Sequence, residues 1–331
     1  MKQHSASTHV EQILGEHSSI VELRRLIDRV AASNARTVLI YGETGTGKGL
    51  VARLLHAGSA RRAAPLVDIN CAAIPGSLLE SELFGHEKGS FTGAVGHKPG
   101  LIEAADGGTV FLDEIRELDP VMQAKLLTLL DTRRFRRVGA IRPIDVDVRF
   151  VAATNKILLG EVTAGRFRDD LYYRLQVVAI NIPPLRERGD DIFILSQAYL
   201  QTYGQLHNSA MATLSPEVED VFRRYPWPGN VRELENLLER ICLLEDGDRV
   251  LLKHLPDRII RGAGRGERLT ASSSRVEPTD YHDATQQFQR QLIDGVLQAS
   301  HRNLGAAADA LGLSRHALRH QMRKLGYGAE N

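Results

Sequence analysis

The sequence has few cysteines and almost no excess charge. Only two of its 331 residues are cysteines, Cys71 and Cys242, and they lie far apart. Their spacing matches no zinc-binding pattern, and so few thiols in a chain of this length are typical of a reducing compartment. The formal net charge is only +1. Any contact with nucleic acid must therefore depend on local clusters of basic residues.

Long apolar segments are also absent. No apolar run reaches the roughly 18 residues that a membrane span needs, and the N-terminal MKQHSASTHVEQ lacks the apolar core of a signal peptide. We therefore predict a cytoplasmic protein without membrane contact. The composition, 43% hydrophobic and 25% charged residues, is typical of a soluble globular protein. The length allows two domains or slightly more.

Short apolar runs alternate with helical patterns over the first half of the chain. They predict strands at 37–41, 66–70, 109–113, 147–155 and 177–182. Strands that alternate with helices indicate an α/β fold, in which a parallel sheet has helices on both faces.

Two helix starts carry capping patterns. Ser19 and Glu22 have the spacing of a capping box, ahead of an apolar stripe that predicts an amphipathic helix. Asp119 followed by Pro120 predicts an N-cap and a first helical residue.

Changes in composition predict the domain organisation. Residues 1–12 form a polar tail, 13–183 the α/β subdomain, and 184–260 a mostly helical subdomain. Residues 261–281 are rich in glycine and serine and predict a flexible linker. Residues 282–331 form a separate helical unit.

A glycine-rich segment, GETGTGKG, follows the first predicted strand and precedes a helical pattern. In this context the glycines let successive backbone N–H groups converge on phosphate oxygens, and the helix N-terminus adds partial positive charge. Lys48 supplies a charge for the β- and γ-phosphates of ATP. The predicted nucleotide-binding residues of this loop are Gly42, Glu43, Thr44, Gly45, Thr46, Gly47, Lys48 and Gly49.

The last residue of this loop departs from the usual pattern. A Ser or Thr normally follows the lysine and its hydroxyl contacts Mg²⁺, but this chain has Gly49. Water can replace the hydroxyl as a metal ligand. Because Lys48 and the loop backbone remain, we expect ATP binding to survive, with turnover reduced.

A carboxylate pair follows the strand predicted at 109–113. Asp113 and Glu114 come at the carboxyl end of that strand, where ligands bind in parallel α/β sheets. Asp113 suits Mg²⁺, and Glu114 suits the positioning of the attacking water in phosphoryl transfer. The alternative is a pair of carboxylates that only starts a helix.

These segments resemble the AAA+ ATPases, and within them the bacterial enhancer-binding proteins that activate sigma-54 RNA polymerase. The resemblance covers roughly residues 13–259 and the C-terminal unit. Its most specific element is the loop sequence GSFTGA, because the family carries Gly-Ala-Phe-Thr-Gly-Ala on a surface loop. Further similar segments are INCAAIP, ESELFGHEKG, GGTVFLDEI, FRDDLYYRL and WPGNVREL.

The resemblance implies that this loop contacts sigma-54. The expected contact residues are Gly89, Ser90, Phe91, Thr92, Gly93 and Ala94. Glycines at both ends allow the loop to move with little backbone strain, and a single exposed Phe is a suitable anchor for a protein partner. The alternative is a hairpin tip at which Phe91 packs back onto the sheet.

The resemblance also implies roles around the nucleotide. Asn70 would hydrogen-bond Glu114 and switch it, while Thr154 and Asn155 would sense the γ-phosphate. Arg232 would act as a second sensor on the helical lid subdomain. Position 49 usually carries Glu in the family, so Gly49 departs from that pattern too.

Two arginines match the arginine fingers of the family. Arg168 and Arg174, in FRDDLYYR, would reach the nucleotide of a neighbouring subunit in a homo-oligomeric, hexameric ring. A guanidinium neutralises charge on the phosphoryl group during transfer. The alternative for each is a solvated helix face, since acidic residues lie beside them.

The C-terminal unit has the pattern of a helix-turn-helix, with Asn303 capping one short helix and a glycine before the next. Leu318, Met322 and Leu325 form its inward stripe. The unit resembles the Fis-type domain that binds enhancer DNA in this family; the alternative is a helical bundle with a solvated basic face. The predicted DNA-binding residues are Ser314, Arg315, His316, Arg319, His320, Arg323 and Lys324.

These predictions together indicate an ATP-hydrolysing activator of sigma-54 RNA polymerase. A DNA-binding regulator with a nucleotide-switch core is the alternative, and a general AAA+ remodeller of other proteins is a third. Because only about a dozen residues precede the ATPase region, we also expect control by a separate inhibitory protein or by abundance.

Overall fold

The computed structural model describes residues 12–270 continuously, followed by residues 293–294, 296–297, 300, 303–310, 315, 318–319 and 322. The chain divides into two compact units, Met1–Glu267 and Arg268–Asn331. The first unit contains an α/β part and then a helical part.

A five-stranded parallel sheet forms the centre of the α/β part. The strands of this part are β1 (Thr37–Tyr41), β2 (Leu66–Asn70), β3 (Gly85–His86), β4 (Lys98–Pro99), β5 (Thr109–Asp113), β6 (Arg134–Phe135), β7 (Ile144–Asp145), β8 (Arg149–Thr154) and β9 (Ala179–Asn181). The central sheet has the order β2-β5-β8-β1-β9, and its neighbours are all parallel. The predicted parallel α/β sheet is confirmed. Strands β3–β4 and β6–β7 form two separate antiparallel hairpins.

Helices cover both faces of the sheet. They are α1 (Ser18–Ala31), α2 (Lys48–Ala57), α3 (Gly76–Phe84), α4 (Leu101–Ala104), α5 (Pro120–Thr132), α6 (Leu158–Thr163) and α7 (Asp169–Leu175). Side chains alternate along a strand, so Val38 and Ile40 pack with α1 and α2 while Leu39 packs with α3, α5 and α7. This double coverage explains why the strands are continuous apolar runs.

The two predicted helix caps have different outcomes. Asp119 Oδ1 accepts from the N–H of Met122 at 2.8 Å, with Pro120 as the first helical residue of α5, and this prediction is confirmed. The capping box at Ser19 is wrong. Helix α1 begins at Ser18, and the ring of His17 accepts from the N–H of Ser19, so Ser19 lies inside the first turn.

A helical subdomain follows the sheet. It contains α8 (Asp191–His207), β10 (Thr213–Leu214), α9 (Pro216–Arg224), α10 (Asn230–Leu244), β11 (Arg249–Val250) and α11 (Asp257–Thr270). Short 3-10 turns lie at Ile115–Glu117, Leu185–Glu187 and Leu252–His254. Trp227 is buried at the centre of this subdomain, where its indole N–H donates to the carbonyl of Phe222 at 2.9 Å.

Residues 261–270 are helical, so the interpretation of this segment as the start of a flexible linker is wrong. They continue α11, whose Ile259 and Ala263 are buried in the core of the helical subdomain. Gly262 has a packing role, because a Cβ there would lie 2.5 Å from the ring of Tyr225. Residues 271–281 of the predicted linker lie outside the described residues.

The second unit is described in part. The helix Leu304–Ala310 begins after Asn303, whose Oδ1 accepts from the N–H of Gly305 at 3.0 Å and of Ala306 at 3.3 Å. The predicted cap is thus confirmed. Leu318 is buried and Met322 packs against the same cluster, as predicted, while Leu325 lies outside the described residues.

Candidate functional site: a phosphate-binding loop and an exposed hairpin

A cavity of about 480 Å³ lies at the carboxyl edge of the sheet, between the glycine-rich loop and the helical subdomain. Its lining includes residues 44–49 of the loop, Leu50 and Val51 of α2, and four other predicted site residues, namely Asn70, Asp113, Glu114 and Arg232. Ten of the predicted site residues thus line one cavity. Leu23 of α1, Arg188 before α8, and Leu195 and Tyr199 of α8 also line the cavity.

The glycine-rich loop has the conformation that phosphate binding requires. Gly45 and Gly47 have φ angles of 79° and 102°, a region that favours glycine. Helix α2 starts directly after Gly47 without a side-chain cap, so its first N–H groups are free for an anion. Lys48 is buried, and its Nζ donates to the carbonyl of Gly42 at 3.1 Å.

Gly49 is not required by packing. A Cβ at this position would meet Arg53 Nη1 at 3.6 Å and the ring of Phe111 at 3.8 Å, which are ordinary contact distances. The missing side chain therefore leaves usable space beside Arg53, which also lines the cavity.

Glu43 connects the loop to the helical subdomain. Its carboxylate accepts from Arg186 at 2.6 and 2.9 Å and from Asn230 Nδ2 at 3.1 Å. The hydrogen bond from Arg186 is the main reason that the pKa of Glu43 falls to about 2. Sequence analysis placed Glu43 at the nucleotide but missed both partners, because nothing in PPLRERGDD or WPGNVREL marks a contact across about 140 residues or more.

Arg188 is a further cavity residue that the sequence did not indicate. It is buried, donates to the carbonyl of Pro183 at 2.9 Å, and reaches the carbonyl of Thr46 in the loop at 3.3 Å. Burial lowers its pKa to about 10, so it remains a cation at neutral pH.

The carboxylate pair lies beside Lys48. Glu114 Oε1 is 3.6 Å from Lys48 Nζ, and Glu114 Oε2 is buried without a hydrogen-bond partner among the described residues. The backbone of Glu114 has φ 51°, a conformation that costs energy in a non-glycine residue and is common at functional sites. A buried carboxylate oxygen without a partner suits a water molecule or an incoming polar group.

The residues present fit Mg²⁺ only together with a nucleotide. The described residues contain no group of three or more acidic, histidine or cysteine side chains that could hold a metal. Mg²⁺ usually binds one or two carboxylates and completes its coordination with phosphates and water. Asp113, which lines the cavity beside Glu114, satisfies that requirement.

Of the predicted switch residue Asn70 and the predicted first-sensor residues Thr154 and Asn155, two have other partners in this structure. Asn70 Oδ1 accepts from the N–H of Ala72 at 2.9 Å rather than bonding Glu114. Thr154 is buried. Its hydroxyl donates to the carbonyl of Lys156 and accepts from the N–H of the same residue. Asn155 Oδ1 is buried without a partner among the described residues.

The two predicted arginine fingers lie away from the cavity of their own chain. Arg168 pairs with Asp170 at 2.7 Å, and Arg174 pairs with Asp131 at 2.9 Å. Both side chains are roughly half exposed. Neither contributes to the cavity lining.

The GSFTGA segment is the tip of the β3–β4 hairpin. Phe91 is 40% exposed, and its ring packs edge-on against the ring of His86 with centroids 5.1 Å apart. The ring thus rests on its own hairpin rather than on the central sheet. Gly89 and Gly93 have positive φ and open space around them. Ala94, in contrast, is buried.

The β6–β7 hairpin supports this tip. Val138 donates to the carbonyl of Gly85 at 2.9 Å and accepts from the N–H of Glu87 at 3.0 Å. A Cβ at Gly139 would lie only 2.7 Å from the Cβ of Ser90. Ser90 is the residue that departs from the family sequence, and its hydroxyl is buried without a partner among the described residues.

Two of the predicted DNA-binding residues can be placed. Arg315 and Arg319 are exposed, and the guanidinium of Arg315 lies against Gly305, where a Cβ would be 2.5 Å from it. Ser314, His316, His320, Arg323 and Lys324 lie outside the described residues.

A phosphate-binding loop at the carboxyl edge of a parallel sheet, closed by a helical lid, defines a P-loop protein of the AAA+ class. A model of the Sigma-54 interaction domain matches residues 13–181, and a model of the AAA+ ATPase lid domain matches residues 186–272. The chain therefore belongs to the family of AAA+ proteins with a Sigma-54 interaction domain. The resemblance drawn from the sequence is confirmed.

Similarity to individual proteins supports the same family assignment. The nitrogen fixation protein AnfA of Azotobacter vinelandii is 43% identical over 95% of this chain and 57% of its own length. The transcriptional regulatory protein ZraR of Klebsiella oxytoca is 44% identical over 92% of this chain and 67% of its own length. The crystal structure of NtrX from Brucella abortus in complex with ATP matches with a TM-score of 0.69 at 31% identity, over 95% of this chain and 69% of that chain. This chain thus spans between 57% and 67% of the length of these two curated relatives.

In the part of the chain that the structure describes, no helix has the length and apolar character of a membrane span.

Proposed function

We propose that the chain hydrolyses ATP and uses the reaction to remodel sigma-54 RNA polymerase at a promoter, while its C-terminal unit holds it on enhancer DNA. One structural observation carries this proposal. Strand β2 ends at Asn70 in the nucleotide cavity, and the next element along the chain, α3, leads directly into the hairpin that exposes Phe91. A change at the cavity wall therefore has a short covalent route to the hairpin.

The cavity residues have complementary tasks in this proposal. Lys48 and the first N–H groups of α2 bind the phosphates, and Asp113 would help to hold Mg²⁺, which neutralises charge on the phosphoryl group. Glu114 orients and polarises the attacking water through its carboxylate, of which Oε2 is buried. Arg188 and Arg232, contributed by the lid, approach the nucleotide from the other side.

A ring of subunits would complete the site. Arg168 and Arg174 are exposed and lie off the cavity of their own chain, which suits a contribution to a neighbour. Such arginines increase phosphoryl-transfer rates by about 10³-fold or more in other systems.

DNA binding is the role proposed for the second unit. Arg315 and Arg319 are exposed on it, and arginine is well suited to phosphates and to guanine in the major groove.

The decisive experiment compares two exposed residues of the same loop in a promoter-opening assay with sigma-54 polymerase and ATP. We expect Phe91→Ala to abolish opening while ATP turnover continues. Val95→Ala is the matched control, because Val95 is 85% exposed nearby and we expect it to leave opening unchanged. Equal opening by both variants and the native chain would disprove the proposed coupling.

A nucleotide-switch regulator without remodelling activity is the second candidate. Gly49 favours it, because this position offers no side chain for Mg²⁺ or water. Native protein that binds ATP but shows no turnover in the presence of sigma-54 and DNA would support this candidate over the first.

A further inference from the structure

A second cavity, of about 200 Å³, lies at the opposite edge of the sheet from the nucleotide. It is formed where the chain enters β1 and β8 and where α2 ends, so it faces the amino ends of the strands. Its polar lining residues are Ser33, Asn34, Arg36, Ser59, Arg61 and Arg149. None of them belongs to the nucleotide cavity.

Arg149 is the unusual member of this group. It is only 3% exposed, and a buried arginine normally has a carboxylate partner. Here Nη2 donates to the carbonyl of Val30 at 2.8 Å and Nη1 to that of Ala31 at 3.4 Å, at the C-terminus of α1. Its Nε has no hydrogen-bond partner among the described residues. The helix cap therefore uses only part of this guanidinium.

The charges around the cavity are mostly positive. Burial and the nearby charge of Arg61 both lower the pKa of Arg149, and no acidic group offsets them. Arg61 forms an ion pair with Asp147 at 2.7 Å. Among the described residues, Asp147 forms no ion pair or hydrogen bond with Arg149. Asp147 does not line the cavity. Arg36 is a third arginine of the lining and is exposed.

We propose that this cavity is a second anion site, which binds a phosphoryl group of a small ligand. Three arginines line this concavity, and Arg149 among them has no acidic partner among the described residues; this gives the cavity a positive potential, and the arginine fork matches phosphate oxygens. Size limits the ligand class. The cavity is less than half the volume of the nucleotide cavity and is below the roughly 300 Å³ at which sites for larger ligands begin. It therefore suits phosphate, pyrophosphate or the phosphoryl end of a metabolite.

Calorimetry on the full chain tests this site. The protein is first saturated with ADP in Mg²⁺-free buffer so that the P-loop is occupied, and pyrophosphate or inorganic phosphate is then titrated in. We expect one further site. Arg36→Ala should weaken its affinity about ten-fold, which is the loss expected for one charge-assisted contact. The same titration with acetate distinguishes a phosphoryl site from a general carboxylate site and should show no binding.

Two further variants make the outcome decisive. Arg62→Ala is the control, because Arg62 is exposed next to the cavity without lining it, and it should bind like the native chain. Arg149→Lys keeps the charge but loses the fork, so it should bind more weakly while a thermal unfolding scan confirms folding. Absence of a second site, equal affinity for acetate, or equal binding by Arg36→Ala and Arg62→Ala would overturn the assignment.

Discussion

Glu43 in the phosphate-binding loop and Arg186 at the start of the lid form a two-point ion pair, with contacts of 2.6 and 2.9 Å. This ion pair holds the helical lid against the loop. Neither side chain lines the nucleotide cavity. The ion pair also gives the contact a dependence on pH, because a carboxylate holds the pair only while it is ionised.

The acid stability of the lid contact should depend on Arg186. The pKa of Glu43 is about 2 in the folded chain and 4.5 ordinarily, so its contribution is complete above about pH 4.5 and is lost as the pH falls towards 2. We expect Arg186→Gln to reduce the pH dependence of unfolding in this window. Fluorescence of Trp227, the only tryptophan, reports unfolding of the lid. Arg134→Gln removes an exposed ion pair with Asp145 that involves neither the loop nor the lid, and it serves as the control; identical acid profiles for Arg186→Gln and the native chain would contradict the prediction.

Hydrolysis should fail without the carboxylate of Glu114. Glu114→Gln keeps the shape of the side chain but cannot polarise water as a base, so turnover should fall by about 10² or more while nucleotide affinity changes little. Phosphate release and a binding titration measure the two quantities. Glu117→Gln, an exposed acid in the following turn, should retain full turnover, and retention of turnover by Glu114→Gln would assign the water to another residue.

Two glycines of α11 should respond in opposite directions to alanine. Gly→Ala in a helix normally stabilises by about 1 kcal/mol, and we expect this for Gly264, where a Cβ meets nothing within 4 Å. At Gly262 the Cβ would lie 2.5 Å from Tyr225, so Gly262→Ala should destabilise. Urea unfolding followed by fluorescence gives both free energies. If both variants are stabilised, α11 does not pack on Tyr225.

The contact between the two hairpins should be detectable by a matched pair of substitutions. Gly139 and Gly165 have similar φ angles, 80° and 70°, but only Gly139 faces a neighbour, the Cβ of Ser90 at 2.7 Å. Gly139→Ala should therefore cost more stability than Gly165→Ala, and Ser90→Gly should recover part of the difference. Thermal unfolding of the single and double variants measures this coupling; equal costs for the two alanines would show that Gly139 does not contact Ser90.

Ser90→Ala gives an independent check of the same contact. The Ser90 hydroxyl is buried without a partner among the described residues, and such a group costs about 1 kcal/mol or more. We expect Ser90→Ala to raise the free energy of unfolding, whereas a loss of stability would indicate a hydrogen bond to this hydroxyl.

The parts of the fold that depend on local pattern were predictable. The strands were visible as apolar runs because both faces of the sheet are covered, and Asp119 was recognisable as a cap because its partner is only three residues away. The phosphate-binding loop was predictable for the same reason, because its glycines determine the backbone conformation at their own positions.

The parts that depend on distant contacts were not predictable. Arg186 and Arg188 lie in a charged segment that resembles any solvated turn, and only the tertiary structure brings them to Glu43 and Thr46. Gly262 was interpreted as a linker glycine because glycine occurs both in flexible linkers and where close packing leaves no room for a side chain. The sequence alone does not distinguish the two, and here the reason is the close approach to Tyr225. The cap of α1 is a histidine ring, which the usual capping pattern does not include.

Both native thiols are buried, and this has a practical use. Burial raises the pKa of Cys71 to about 12 and also raises the pKa of Cys242, so neither forms the thiolate that maleimides attack. A fluorescent dye directed to Val95→Cys would therefore label one position without removal of any native cysteine. Its emission would record, in real time, whether the hairpin tip changes its surroundings during a catalytic cycle.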